Sequence, residues 1–187
     1  MSRATAVNLL GGKTLMMKER LTLAFKEMRN QGLFARQNLP CCCTCSLAEI
    51  SRRLEKQKLL RNPRLRKVIN GYVFFHRQDA AALDAMFRWY AYIQKHPEMT
   101  SLPPKRNKLK PQQKDMLAET RLHLRYGNTE EFLAGVSLEP ARSTVQVGTL
   151  VVDTLRACGI ESEWNGKPAS TIVVPLMQDH VKTWTRK

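Results

Sequence analysis

The chain has 187 residues, 43% hydrophobic and 25% charged, which suits one globular domain with a real core and argues against global disorder. Thirty-one Lys and Arg oppose sixteen Asp and Glu, leaving a net charge of +15 and a pI near 10.0. No run approaches the ~18 consecutive apolar residues of a membrane span, and an odd set of five cysteines, four of them within 41–45, argues against a disulfide framework and for reduced thiols in a cytoplasmic setting.

Residues 1–12 read as a flexible tail ending in Gly11-Gly12, without the h-region and cleavage site of a secretory signal, and 13–187 as a single domain. From Lys13 to Asn30 the residues Leu15, Leu21, Ala24, Phe25 and Met28 recur on one helical face, and Gly32 is the natural terminator. Residues 33–39 make a short strand that leads into the cysteine cluster. Ser46-Leu47-Ala48-Glu49 is a capping box opening a helix to about Leu60, with Leu47, Ile50 and Leu54 inward and Asn62-Pro63 as its end. Gly71-Tyr72-Val73-Phe74-Phe75-His76 is aromatic, β-branched and apolar on both faces, as a central strand requires. A helix follows over 79–94, with Leu83, Met86, Phe87, Tyr90 and Ile93 inward, and His96-Pro97 stops it.

Residues 97–114 form a linker-like insert holding four prolines and five cations. Over 120–126, Leu122, Leu124 and Tyr126 alternate with Arg121, His123 and Arg125, which predicts a half-exposed strand with a basic face. A short helix or loop at 129–134 precedes a helix over 144–158, with Val147, Leu150, Val151, Leu155 and Cys158 inward and Gly159 as terminator. Strands are expected at 160–164 and 171–174, flanking Asn165-Gly166, a turn signal. The order predicts an α/β (α+β) fold, a single domain with helices packed on a mixed sheet of about four to five strands.

The basic elements carry the functional expectation. Arg52, Arg53, Lys56, Lys58, Arg61, Arg64, Arg66 and Lys67 are opposed only by Glu55. The theme returns at Lys105, Arg106, Lys108 and Lys110 in the insert and at Arg121 and Arg125 on the strand. A charge run is usually a solvated face, but this density is the electrostatic footprint of a nucleic-acid binder that contacts phosphates. No helix-turn-helix, zinc-finger, RRM or KH pattern is present, which favours RNA or single strands over duplex. Phe87, Trp89, Tyr90 and Tyr92 would stack on bases where exposed, although core is the commoner fate of such residues. An alternative is an adaptor or inhibitor that docks on an acidic protein.

Chemistry is thinner. Cys42-Cys43-Thr44-Cys45 holds a C-x-x-C, so Cys42 and Cys45 are candidate zinc or redox thiols beside a helix start. A second ligand pair is missing, and small reduced thiols that behave as hydrophobes explain the cluster more simply. The zinc-deaminase signature fails because Thr44 stands three residues after Cys41 and no histidine precedes His76. Gly11-Gly12-Lys13-Thr14 ends like a phosphate-binding loop, but Val7 occupies the place of its first glycine. His76 and Asp79 follow the central strand, where α/β folds often build sites; a buried, hydrogen-bonded histidine is the simpler reading. No catalytic residue and no cofactor is expected.

Three stretches carry a family resemblance: Cys41-Cys42-Cys43-Thr44-Cys45 followed by Ala48-Glu49-Ile50; Gly71 through Asp79; and Leu155-Arg156-Ala157-Cys158-Gly159-Ile160 with Trp164-Asn165-Gly166. Together they resemble an uncharacterised bacterial protein family, a domain of unknown function, over most of 33–166. The resemblance implies a shared α/β fold and no established activity. The basic, Pro-rich insert departs from the family's pattern, so a different partner is expected for this chain, and a virus-encoded version acting on host or viral nucleic acid is compatible with that departure.

Overall fold

The computed structural model describes residues 17–39, 48–52, 69–96, 121–129 and 142–176. Helix α1 (Met17–Asn30) buries Met17, Leu21, Ala24, Phe25 and Met28, the one-sided stripe that a 3.6-residue period makes. It ends at Gly32, whose φ of 85° suits glycine. Strand β1 (Leu33–Leu39) leads to β2 (Gly71–His76), which passes directly into helix α2 (Arg77–Lys95). Strand β3 (Arg121–Gly127), helix α3 (Thr144–Ala157) and strand β4 (Ile172–Pro175) follow.

The four strands form one mixed sheet in the order β1-β2-β3-β4. β1 and β2 are parallel, with Phe34 opposite Tyr72 and Arg36 opposite Phe74. β2 and β3 are antiparallel, with Phe74 opposite Arg125. β3 and β4 are also antiparallel, with His123 opposite Val173. β2 is buried at every residue and lies between two neighbours, which is why its sequence is apolar on both sides.

Side-chain alternation splits the core in two. On one face Leu33, Ala35, Val73, Phe75, Leu122, Leu124, Ile172 and Val174 pack with the apolar stripes of α1 and α3, and Leu83 and Phe87 of α2 join the same cluster. On the other face Phe34, Tyr72 and Phe74 pack with Leu39 and with Ile50. Ile50 belongs to a helical segment, 48–52, which therefore covers the β1–β2 half of that face.

Helix α3 carries a reciprocal cap: the Ser143 hydroxyl accepts from the Gln146 N–H, and the Gln146 side chain accepts from the Ser143 N–H. Its Gly148 lets the helix approach two rings closely. A Cβ there would lie 2.6 Å from Trp164 Cζ2 and 2.9 Å from Tyr126 Cε2. Trp164 Nε1 donates to the Tyr126 hydroxyl at 2.8 Å, and that hydroxyl donates to the Lys167 carbonyl at 2.9 Å. The following turn is held by the Asn165 side chain, which accepts from the Lys167 N–H, and by Gly166 at φ 76°.

Two boundaries differ from the sequence expectation. Residues 160–164 are not a strand. Glu163 alone pairs there, with Val173, through backbone bonds of 2.8 and 2.9 Å, because Trp164 turns inward to meet Tyr126 and Gly148. Helix α2 begins at Arg77 rather than Asp79, taking over where the strand ends. The expected tail at 1–12, the helix beyond Arg52, the cysteine cluster at 41–45, the insert at 97–114 and most of 129–134 lie outside the described residues.

Candidate functional site

β3 is the strand that presents charge. Leu122, Leu124 and Tyr126 are buried, whereas Arg121, His123 and Arg125 are exposed. A one-residue slip would bury three polar groups and expose three apolar ones, so the buried side fixes which way the cations face. Their face is that of Phe34, Tyr72 and Phe74. Among the described residues, the sheet side covered by 48–52 over β1 and β2 has no covering segment over β3 and is basic there.

Arg125 stands in register with Phe74, and Phe74 with Arg36, so the two arginines flank one buried ring in a row across the sheet. The Arg36 guanidinium also lies over the Phe34 ring at 5.5 Å from its centroid. Arg36 was not apparent as a site residue, although the i, i+2 spacing of Phe34 and Arg36 places both on one strand face. Arg52 is on the same side of the sheet through its covering segment. Its side chain is 64% exposed and pairs with Glu49 at 2.7 Å.

Arg121 reaches Glu163 at 3.4 Å, with both side chains substantially exposed. Arg125 makes no ion pair among the described residues. Of the expected phosphate contacts, the structure therefore brings Arg52, Arg121 and Arg125 to one side. Arg53, Lys56, Lys58, Arg61, Arg64, Arg66, Lys67, Lys105, Arg106, Lys108 and Lys110 lie outside the described residues.

Phe87 is buried in the main core, on the inward side that the helical pattern gives it, and so is not exposed for stacking. Tyr92 is 43% exposed and its ring lies tilted by 35° against His96, with centroids 4.5 Å apart. The side chains of Trp89 and Tyr90 lie outside the description. His76 is buried with its ring edge-on to Phe74 at 5.3 Å. Among the described residues no group of three or more His, Cys, Asp or Glu could hold a metal ion, and Cys42 and Cys45 lie outside them. Cys158 is a buried free thiol, pushed up from its ordinary pKa first by burial and then by Glu27. Among the described residues no helix is long and apolar enough to cross a membrane.

The molecule is thus an α+β protein whose mixed sheet is packed with helices on one face and, among the described residues, is covered over β1 and β2 and exposes Arg121, His123 and Arg125 on the other. The family model for a domain of unknown function, DUF6891, matches residues 13–87 and 111–184, and the chain belongs to that family. Neither a curated protein nor a solved structure matches it. The gap between the two matched stretches, 88–110, contains Lys105, Arg106, Lys108 and Lys110. Those four cations stand outside the family match, whereas Arg52, Arg121 and Arg125 stand within it.

Proposed function

We propose that the protein binds nucleic acid without catalysing a reaction on it, with RNA or single strands preferred, through phosphate contacts on the open side of the sheet. One observation carries the reading: Arg121, His123 and Arg125 are exposed side by side on a strand whose other face is locked into the core. Arg52 lies on the same side, and the net charge of +15 supplies a long-range field that attracts polyanions. Each Lys or Arg that meets a phosphate releases condensed counterions, so the affinity comes from charge and falls with salt. The two ion pairs at the site do not oppose this. Exposed pairs are worth about 0.2–1 kcal/mol, which a phosphate bound by several cations readily exceeds. The proposed surface includes Arg53, Lys56, Lys58, Arg61, Arg64, Arg66 and Lys67, and also the insert cations Lys105, Arg106, Lys108 and Lys110.

Fluorescence anisotropy with labelled single-stranded RNA, single-stranded DNA and duplex, each titrated with salt, tests the reading. Binding that weakens linearly in log–log form is expected, strongest for single strands. Arg121→Glu with Arg125→Glu should flatten the slope by about 1.4, or 0.7 for each lost contact to a single strand. Replacing Arg52, Arg53, Arg64 and Arg66 with Glu should abolish retention. Unchanged binding by both variants, or co-purification of a protein that nuclease treatment does not release, would overturn the proposal in favour of an acidic protein partner.

A further inference from the structure

We propose that Glu163 is a built-in competitor for the polyanion at Arg121, so that Arg125 is the standing contact on β3 and Arg121 a conditional one; this rests on the reading of the preceding subsection. Nothing in the strand pattern announces the arrangement, because Glu163 is 42 residues from Arg121 in sequence. The fold brings them together. Glu163 makes both backbone bonds of its single bridge to Val173, and Val173 is opposite His123 in the β3–β4 register. The carboxylate is therefore anchored by its own backbone on the outer flank of β4. From there it reaches across to the Arg121 guanidinium at 3.4 Å.

The pair is built to exchange. The contact is long, and the Arg121 side chain is 41% exposed and the Glu163 side chain 59% exposed. That is a weak, water-facing ion pair rather than a bidentate lock. The two cations of β3 are consequently unequal. Arg125 has no carboxylate against it among the described residues, while Arg121 has Glu163 in contact, with Glu161 two residues away in sequence and also exposed. Arg125 and Arg121 are four strand residues apart, about 13 Å at 3.3–3.4 Å per residue. A stretched single strand lying along β3 would meet Arg125 first and would have to displace a carboxylate to reach Arg121. A phosphate makes that exchange because it brings neighbouring phosphates with it. An isolated anion does not, so the acid discriminates polyanions from small anions.

The test is a set of conservative variants titrated with fluorescein-labelled oligo-uridylate at low salt. Glu163→Gln keeps the backbone bridge and removes the competing charge; it should tighten binding about two- to fivefold, the range that an exposed pair supports. Glu161→Gln removes the same unit of charge from a carboxylate that does not touch Arg121, and it should give a smaller gain. In an Arg121→Gln background the Glu163→Gln gain should fall to the size of the Glu161→Gln effect, since the competitor then has nothing to compete for. Equal gains from the two Glu variants, or a Glu163→Gln gain that survives in the Arg121→Gln background, would overturn the inference while leaving polyanion binding standing. If wild type binds no oligo-uridylate and Arg125→Gln changes nothing, the functional reading itself fails.

Discussion

Gly148→Ala asks whether the closeness of helix α3 to the Tyr126–Trp164 pair is a structural requirement or a coincidence. Intrinsic helix propensity predicts stabilisation, because Ala is favoured over Gly by about 0.8–1.0 kcal/mol in a helix interior. The structure predicts the opposite sign. The new methyl would lie 2.6 Å from Trp164 Cζ2, 2.8 Å from Cη2 and 2.9 Å from Tyr126 Cε2. The rings cannot simply swing away, since they meet edge to face and are tied by Trp164 Nε1 to the Tyr126 hydroxyl and on to Lys167. Overpacking of this kind costs about 1–3 kcal/mol. Displacing Trp164 far enough to break its hydrogen bond costs about 1–3 kcal/mol more where a partner is left buried and unpaired. A net loss of about 2 kcal/mol remains after the propensity gain. For a chain of this size that lowers Tm by about 4–8 °C. Thermal unfolding followed by circular dichroism and tryptophan fluorescence measures it. In a Trp164→Phe background the same substitution should cost less, because phenylalanine lacks the outer indole atoms that the methyl meets. An equal or higher Tm for Gly148→Ala, or strictly additive costs in the double variant, would refute the reasoning.

Tyr126→Phe should cost about 1–3 kcal/mol in a denaturant titration, because it leaves the Trp164 N–H and the Lys167 carbonyl without the hydroxyl that joins them. On the alkaline side stability should fall from about the ordinary thiol pKa of 9.0 upward: burial raises Cys158, and burial raises Tyr126 from 10.0 against hydrogen bonds with Trp164 and Ser170. The unfolded chain releases those protons first, so it gains stability relative to the native state as pH rises; Tm measured from pH 7 to 10.5 should decline, and Cys158→Ala should flatten the first part of the decline.

Local pattern reached some of this architecture and missed the rest for identifiable reasons. The stripe of α1, the two-sided apolarity of β2 and the alternation of β3 are local periodicities, and each corresponds to an observed element whose described members are buried as the pattern requires. Segment 160–164 reads as a strand because Ile160 and Trp164 look like β formers. Its conformation is set instead by Gly148 and Tyr126, which lie 16 and 38 residues away from Trp164. The site divides in the same way. Alternation places Arg121 and Arg125 on one face, but only tertiary structure shows that Glu163 lies against the first and not the second. Arg36 is not legible as a site residue from local pattern because its meaning depends on register: it joins Arg125's row only once β1 and β2 pair in parallel.

The positive excess is not one undivided resource for a partner. Arg20 donates to the Gly159 carbonyl at 3.1 Å, just past the end of α3, and Arg142 donates to the Gln31 carbonyl at 2.9 Å, just past the end of α1. Arg29 donates to the Ala35 carbonyl of β1 at 3.2 Å. A helix C-terminus offers unpaired carbonyls and the negative end of the dipole, and a guanidinium satisfies both needs at once. These three arginines therefore join α1, α3 and β1 to one another, and their charge is already committed to backbone oxygen. Arg125 differs in kind: it meets no backbone carbonyl and no carboxylate among the described residues, and its strand is held rigid without it by Leu122, Leu124 and Tyr126. A cation with no hydrogen-bonded or ionic partner among the described residues, held facing water by its neighbours' burial, is the kind that can release its counterions to a phosphate. By that criterion Arg125 is the cation of β3 that the proposed phosphate contact would engage first, with Arg121 joining it once Glu163 is displaced.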